Sequence, residues 1–260
     1  MAHAIDHVVI VVRDLARATA DYAAAGFTVT PGGEHADGAT HNALIPFSDG
    51  AYIELIAFKE PDRPSAHQWW PRLAQGEGLV HYALRADDLA SDVARLRAAG
   101  FAISDPRDGG RTRPDGQALR WRTAAFAGSF ALPFLIEDVT PRDLRVPGGA
   151  AAEHRLGARG VAGLRVLADD PNAVAAPLAA LFQAPRPHVS PAAPDVGFLL
   201  HLETGAQWVE LLYPGDAPSE LADALARFGP GPCELALAGD ASSAGALAGD
   251  LHGARITVVA

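Results

Sequence analysis

The chain has 260 residues and a mass of 27.0 kDa, with 49% hydrophobic and 20% charged residues. That is room for one large domain or two small ones and the balance of a globular protein, not of a disordered one. The net charge of −10 argues against nucleic acid or an anionic membrane as partner, since both recruit basic surfaces. The single cysteine, Cys233, excludes an intrachain disulfide and any zinc site needing two cysteines of this chain.

The N-terminal run MAHAIDHVVIVV is too short and too acidic for a signal peptide, and no stretch approaches the ~18 apolar residues of a membrane helix. A cytoplasmic location is expected. From His7, HVVIVVRDLARATADYAAAGF reads as a buried strand followed by a helix. Asp14 stands where its carboxylate caps the helix N-terminus, and Gly26 stands where the chain leaves it. FTVT then predicts a second strand, and THNALIPF and AYIELIAF, joined by Ser48-Asp49-Gly50, predict a hairpin. The loop 59–78 that follows is long enough to imply a role, and carries Trp69 and Trp70.

The pattern then repeats. HYALRADDLASDVARLRAAGF begins at His81, with Asp88 and Gly100 at the two helix ends, followed by FAIS, ALRWRTAAF and FALPFLIEDV. The Pro/Gly/Ala-rich segment 140–154 reads as a linker. A degenerate third copy starts at Gly163, with Asp170 as cap and GFLLHLET and QWVELLYP as its last strands. A fourth starts at Glu234 and stops after ITVVA. The last strand of the first three copies carries a glutamate: Glu54, Glu137 and Glu210. Separations of 47 residues link His7 to Glu54 and Gly163 to Glu210, but 56 separate His81 from Glu137. The expected fold class is α+β, with about three and a half βαβββ units paired into curled sheets around a cavity. Residues 1–140 would form one half, of units one and two, and 155–260 a second, incomplete half.

Paired βαβββ units with His in the first strand and Glu in the last resemble the vicinal oxygen chelate superfamily, which includes glyoxalases, bleomycin-resistance proteins and extradiol dioxygenases. GGEHADGATHNALIPFSDGAYIELIAF is similar, more narrowly, to its glyoxalase-like domain subfamily. The resemblance implies that His7, Glu54, His81 and Glu137 converge on a divalent ion, for which Fe, Mn, Ni, Co and Zn all suit two imidazoles and two carboxylates. If one glutamate is not a ligand, two histidines and one carboxylate remain, the facial triad of non-haem iron oxygenases. Glu137 is assigned as the carboxylate that releases the ion and acts as general base. The third unit has Gly163 in place of the histidine, so the second half is expected to hold no complete site.

Around that centre, His41 and Asn42 alternate in one strand, so one of them faces the cavity and is expected to bind substrate. Arg122 would bind a substrate carboxylate if the Arg120/Arg122 face lines the cavity; otherwise Trp121 faces in. Trp69 and Trp70 either form an aromatic lid over the substrate site or pack the loop onto the barrel. His35 is expected at the surface and His201 in the core. The functional expectation is a metal-dependent lyase or isomerase acting on a small molecule with adjacent oxygens. The alternatives are a ring-cleaving dioxygenase and a metal-free binding or resistance protein. The sheet edges left by the short fourth unit allow a homodimer.

Overall fold

The computed structural model describes residues 3–183, 188–191, 198–214, 218–242, 245 and 249–260. Its elements in chain order are β1 (Ile5–Val12), α1 (Leu15–Ala24), β2 (Thr30–His35), β3 (Thr40–Pro46), β4 (Tyr52–Phe58), α2 (Trp70–Gln75), β5 (Gly78–Arg85), α3 (Leu89–Ala98), β6 (Arg107–Thr112), β7 (Ala118–Ala125) and β8 (Phe134–Asp138). There follow α4 (Arg142–Arg145), a 3-10 turn (Gly149–Ala152), β9 (Gly160–Leu167), α5 (Pro171–Phe182), β10 (His188–Pro191), β11 (Phe198–Thr204), β12 (Gln207–Tyr213), α6 (Glu220–Phe228), β13 (Gly231–Ala238), β14 (Gly249–Leu251) and β15 (Ala254–Val259). The fold is α+β.

The first eight strands close into a barrel in the order β1-β4-β3-β2-β6-β7-β8-β5. Strand β1 is buried along its whole length because it pairs on both sides, parallel to β4 and antiparallel to β5. That explains its near-continuous apolar run. The helices begin as their caps dictate: Asp14 accepts from the Arg17 N–H, Asp88 from Ser91, and Asp170 from Asn172 and Ala173. Gly26 and Gly100, at φ +103° and +88°, take the left-handed turn that ends α1 and α3.

The strands after these helices start later than FTVT and FAIS predict. Phe27 and Ile103 are spent on the core, and the ladder begins only where each chain meets its hairpin partner. The barrel is sealed by two pairs, Glu34 with Thr112 and His35 with Arg111. This seam depends on Gly33, at φ +144°, where a Cβ would lie 2.0 Å from the Thr112 carbonyl oxygen.

The remaining strands form an open sheet, β10-β11-β12-β9-β13-β15-β14. One hydrophobic core runs through both sheets, from Ile5 and Tyr82 to Leu235 and Val258. The segment expected as a linker is folded against the barrel. Arg145 of α4 is buried between Asp6 and Asp138, and Arg142 joins both carboxylates. No helix among the described residues is long and apolar enough to cross a membrane.

Candidate active site

The barrel encloses a cavity of about 310 Å³ with His7, Glu54, Asn42, Trp69, Trp121 and Phe134 among its walls. His7 is fixed from behind. Its Nδ1 lies 2.7 Å from Asp6 Oδ1, and its ring stacks on Tyr52 at 4.6 Å. Asp6 is wholly buried; burial alone would raise its pKa, but Arg145 and His7 hold it well below the usual carboxylate range. An ionised carboxylate only accepts, so His7 Nδ1 donates to Asp6, and His7 Nε2 faces Glu54 Oε2 at 3.6 Å.

Glu54 sits in the middle of the arrangement. Burial raises its pKa, yet His35, His7 and the Asn42 amide more than offset this and bring it to about 2. Asn42 Nδ2 donates to Glu54 Oε1 at 2.5 Å and reaches His35 Nε2 at 3.4 Å. His35 Nδ1 lies 2.8 Å from Thr40 Oγ1, which holds the ring in place. His35 Nε2 also stands 3.4 Å from Glu54 Oε1. His35 is therefore not the surface residue expected from its loop: it is 13% exposed, and it lines the cavity. Gly32 makes the room, since a Cβ there would lie 1.9 Å from Asn42 Oδ1.

The second repeat does not supply the expected partners. Val9, two residues past His7, pairs with Glu54; Ala83, two residues past His81, pairs with Phe134. The spatial counterpart of Glu54 is thus Phe134, an apolar cavity wall, and not Glu137. Strand alternation turns Phe134 and Ile136 inward and Glu137 outward. There Glu137 forms an ion pair with Arg122 and accepts from the Leu89 N–H at the start of α3, at 3.4 Å. The assignments of Glu137 as ligand and base, and of Arg122 as a substrate-binding residue, are corrected accordingly: they neutralise each other outside the barrel.

His81 is buried and does not line the cavity. Its Nε2 is 3.0 Å from the Leu132 carbonyl oxygen, its ring packs on Phe130 and Phe134, and its Nδ1 has no partner. Desolvation, with a smaller contribution from His7, lowers its pKa to about 4, so the ring is neutral at neutral pH.

The remaining assignments divide by alternation and packing. Asn42 faces in, while His41 faces away from the cavity. Trp121 takes the inward place between the arginines and meets the His35 ring edge-on at 6.2 Å. A Cβ at Gly109 would come within 2.4 Å of the Trp121 Nε1. Trp69 is a cavity wall; Trp70 instead packs on Phe58 behind it. The cavity also holds His67 and Arg111, neither of which the sequence singled out.

In the open sheet the equivalent site is filled. Gly163 pairs with Trp208, and a Cβ at Gly163 would lie 2.2 Å from the indole. Glu210 is paired with Arg165 and His201. His201 is 44% exposed rather than in the core, because it serves this surface ion pair. Cys233 donates to the Arg165 carbonyl oxygen, and burial pushes its thiol up to about 12, so it is no nucleophile.

A family model described as a glyoxalase-like domain matches residues 5–182. The chain belongs to the glyoxalase-like domain family. The match covers the whole barrel and runs to the end of α5. Among solved structures, a hypothetical protein from Staphylococcus aureus superposes with a TM-score of 0.72 at 12% identity, over 98% of each chain. A triple mutant of 4-hydroxymandelate synthase from Streptomyces coelicolor gives 0.63 at 14% identity, over 92% of this chain and 71% of that one. A fusion of a xylose isomerase-like TIM barrel with 4-hydroxyphenylpyruvate dioxygenase gives 0.54 at 17%, over 92% and 37%. At these identities the likeness is one of fold. No curated protein matches the sequence.

For this glyoxalase-like domain the four-ligand metal set does not fit the geometry, because Glu137 is outside and His81 is turned to Leu132. His7, His35 and Glu54 are donors of the right chemistry, and each histidine approaches Glu54, but among the described residues no group of three His, Cys, Asp or Glu side chains is arranged to hold a metal ion. Asn42 would have to turn aside. The carboxylate–histidine pair of Asp6 and His7 is the support that metal-ligating histidines use.

Proposed function

We propose that the chain is a metal-dependent enzyme acting on a small molecule with adjacent oxygens, of oxygenase type in preference to lyase or isomerase type. One observation supports the metal: His7 Nε2 at 3.6 Å and His35 Nε2 at 3.4 Å approach the two oxygens of one buried carboxylate, Glu54, in the cavity wall, and Asp6 backs His7. With His35, the donors are two imidazoles and one carboxylate, the facial triad that leaves open positions on non-haem iron. The lyase or isomerase reading loses its base with Glu137 on the outer face. A divalent ion held there would polarise substrate oxygens.

The chain's own residues do the rest. Asp6 and Arg145 hold the tautomer and direction of His7. His67, kept neutral by burial, accepts from the Trp69 N–H on Nδ1 and so offers an Nε2 proton to a bound oxygen. Trp69, Trp121 and Phe134 give a flat ligand an apolar wall and displace water from it.

The Asn42 amide favours a second reading, a metal-free binding protein, because it already occupies Glu54 Oε1 and His35 Nε2. Metal analysis of protein purified without a histidine tag decides between them. We expect near-stoichiometric metal in the wild type, lost in His7→Ala, His35→Ala and Glu54→Gln and kept in Glu137→Gln. Oxygen uptake with catechols and other vicinal-oxygen compounds then tests the reaction type. Protein that neither carries nor takes up Fe(II), Mn(II), Ni(II), Co(II) or Zn(II) leaves the binding protein as the function.

A further inference from the structure

We infer that Arg111 is the anion receptor of this cavity and that the ligand is a small carboxylic acid with a flat apolar body. The inference rests on the cavity being the ligand site proposed above, but not on its holding a metal. Arg111 stands on β6, cross-strand from His35 at the seam of the barrel, and lines the cavity while only 5% exposed.

Its hydrogen bonding is incomplete. One terminal nitrogen donates to the Arg145 carbonyl oxygen at 2.7 Å, the other reaches Asn42 Oδ1 at 3.4 Å, and the buried Nε–H has no acceptor. No carboxylate among the described residues is at ion-pair distance from it. The countercharge that acts on it is Glu54, and the Asn42 amide stands between, accepting from Arg111 and donating to Glu54. Arg145 and Arg142 differ: both are neutralised by Asp6 and Asp138.

A guanidinium out of water without a direct counter-ion is costly to keep. The barrel keeps one beside a cavity that also presents indole and phenyl rings, from Trp69, Trp121 and Phe134. A carboxylate meets that need: it is planar, it accepts two N–H groups at once, and its charge is opposite. A phosphate would bring a second negative charge beside ionised Glu54, which disfavours it.

The test is calorimetric titration of phenylacetate and phenylacetamide, which differ in charge and hardly in shape, into chelator-treated protein. We expect the wild type to bind the acid about tenfold or more tightly than the amide, the worth of one charge-assisted hydrogen bond or more. In Arg111→Met that preference should vanish, while Arg111→Lys keeps a reduced preference. A melting temperature close to the wild type shows that the Met variant is folded. Equal binding of acid and amide, no binding of either, or a preference surviving in folded Arg111→Met would overturn the inference. An acid preference that appears only after metal is restored and survives in Arg111→Met places the carboxylate on the metal: this inference fails and the metal reading stands. An acid preference in protein that never takes up metal has the opposite meaning.

Discussion

His81 shows how one side chain can be kept by the fold in a form the unfolded chain does not share. Its pKa falls from an ordinary 6.5 to about 4 because burial penalises the imidazolium. Between those values the unfolded chain binds a proton that the folded chain does not, so stability rises with pH across the window. It is complete above pH ~6.5 and is lost as pH falls toward 4, by about 3 kcal/mol in all. Glu54 adds a loss of the same sign at lower pH, below the ordinary 4.5 and down to about 2. His81→Leu, which cannot titrate, should lose less stability than the wild type between pH 7 and 4.5. Urea midpoints at the two pH values measure this, and identical losses in both proteins would contradict it. This residue also marks what the sequence leaves illegible. A histidine repeated at equivalent strand positions is visible, but the carbonyl it turns to, Leu132, comes from a loop far along the chain. His35 was hidden for the opposite reason: its neighbours Gly32 and Gly33 look like turn formers, yet they thin the backbone so that Asn42 and β6 can close in.

Strands and helices were more legible than the residues on them. The Asp caps, the glycines after α1 and α3, and the Asp49-Gly50 hairpin are local signals, and each is realised where local chemistry predicts it. Register is not local. The second unit has six more residues between His81 and Phe134 than the first has between His7 and Glu54, and Glu137 lies three further along β8, so looking for the strand's glutamate picks Glu137 while hydrogen-bond pairing picks Phe134. One residue's difference in parity turns a side chain to the other face. Unit three shows how an element retires its site: β9 carries Gly163, and the Trp208 indole lies over it. Gly163→Ala should therefore be destabilising by about 1–3 kcal/mol, the usual cost of forcing extra volume into a packed place. Gly148→Ala, where a Cβ would meet nothing within 4 Å, is the matched control and should be near neutral. Denaturant midpoints for the two variants test the contrast, and a tolerated Gly163→Ala would show that the indole is free to move.

At the scale of the molecule, the sequence reads as two halves and the structure joins them through one core. The turn between β3 and β4 is the tightest visible joint. Asp49 Oδ1 accepts from Ala51 N at 2.8 Å within its own turn, and its Oδ2 accepts from Val161 N of β9 at 3.0 Å. A Cβ on Gly160 would meet that carboxylate at 2.3 Å, so the Asp49 side chain sits where only a glycine leaves room. Gln207 reaches the other way, its Oε1 accepting from Ile5 N at 2.7 Å. The start of β1, which carries His7, is thus held partly by the second sheet, and the site depends on a half whose described residues do not line it. Asp49→Ala leaves the Val161 N–H without its acceptor, which costs about 1–3 kcal/mol where it is buried. If the halves fold as one unit, calorimetry of the wild type gives a single transition whose van't Hoff and calorimetric enthalpies agree, and the variant lowers that whole transition. Two resolved transitions, or a variant that shifts only part of the melting curve, would mean that the barrel and the open sheet are separate cooperative units, and that His7 keeps its place without the second half.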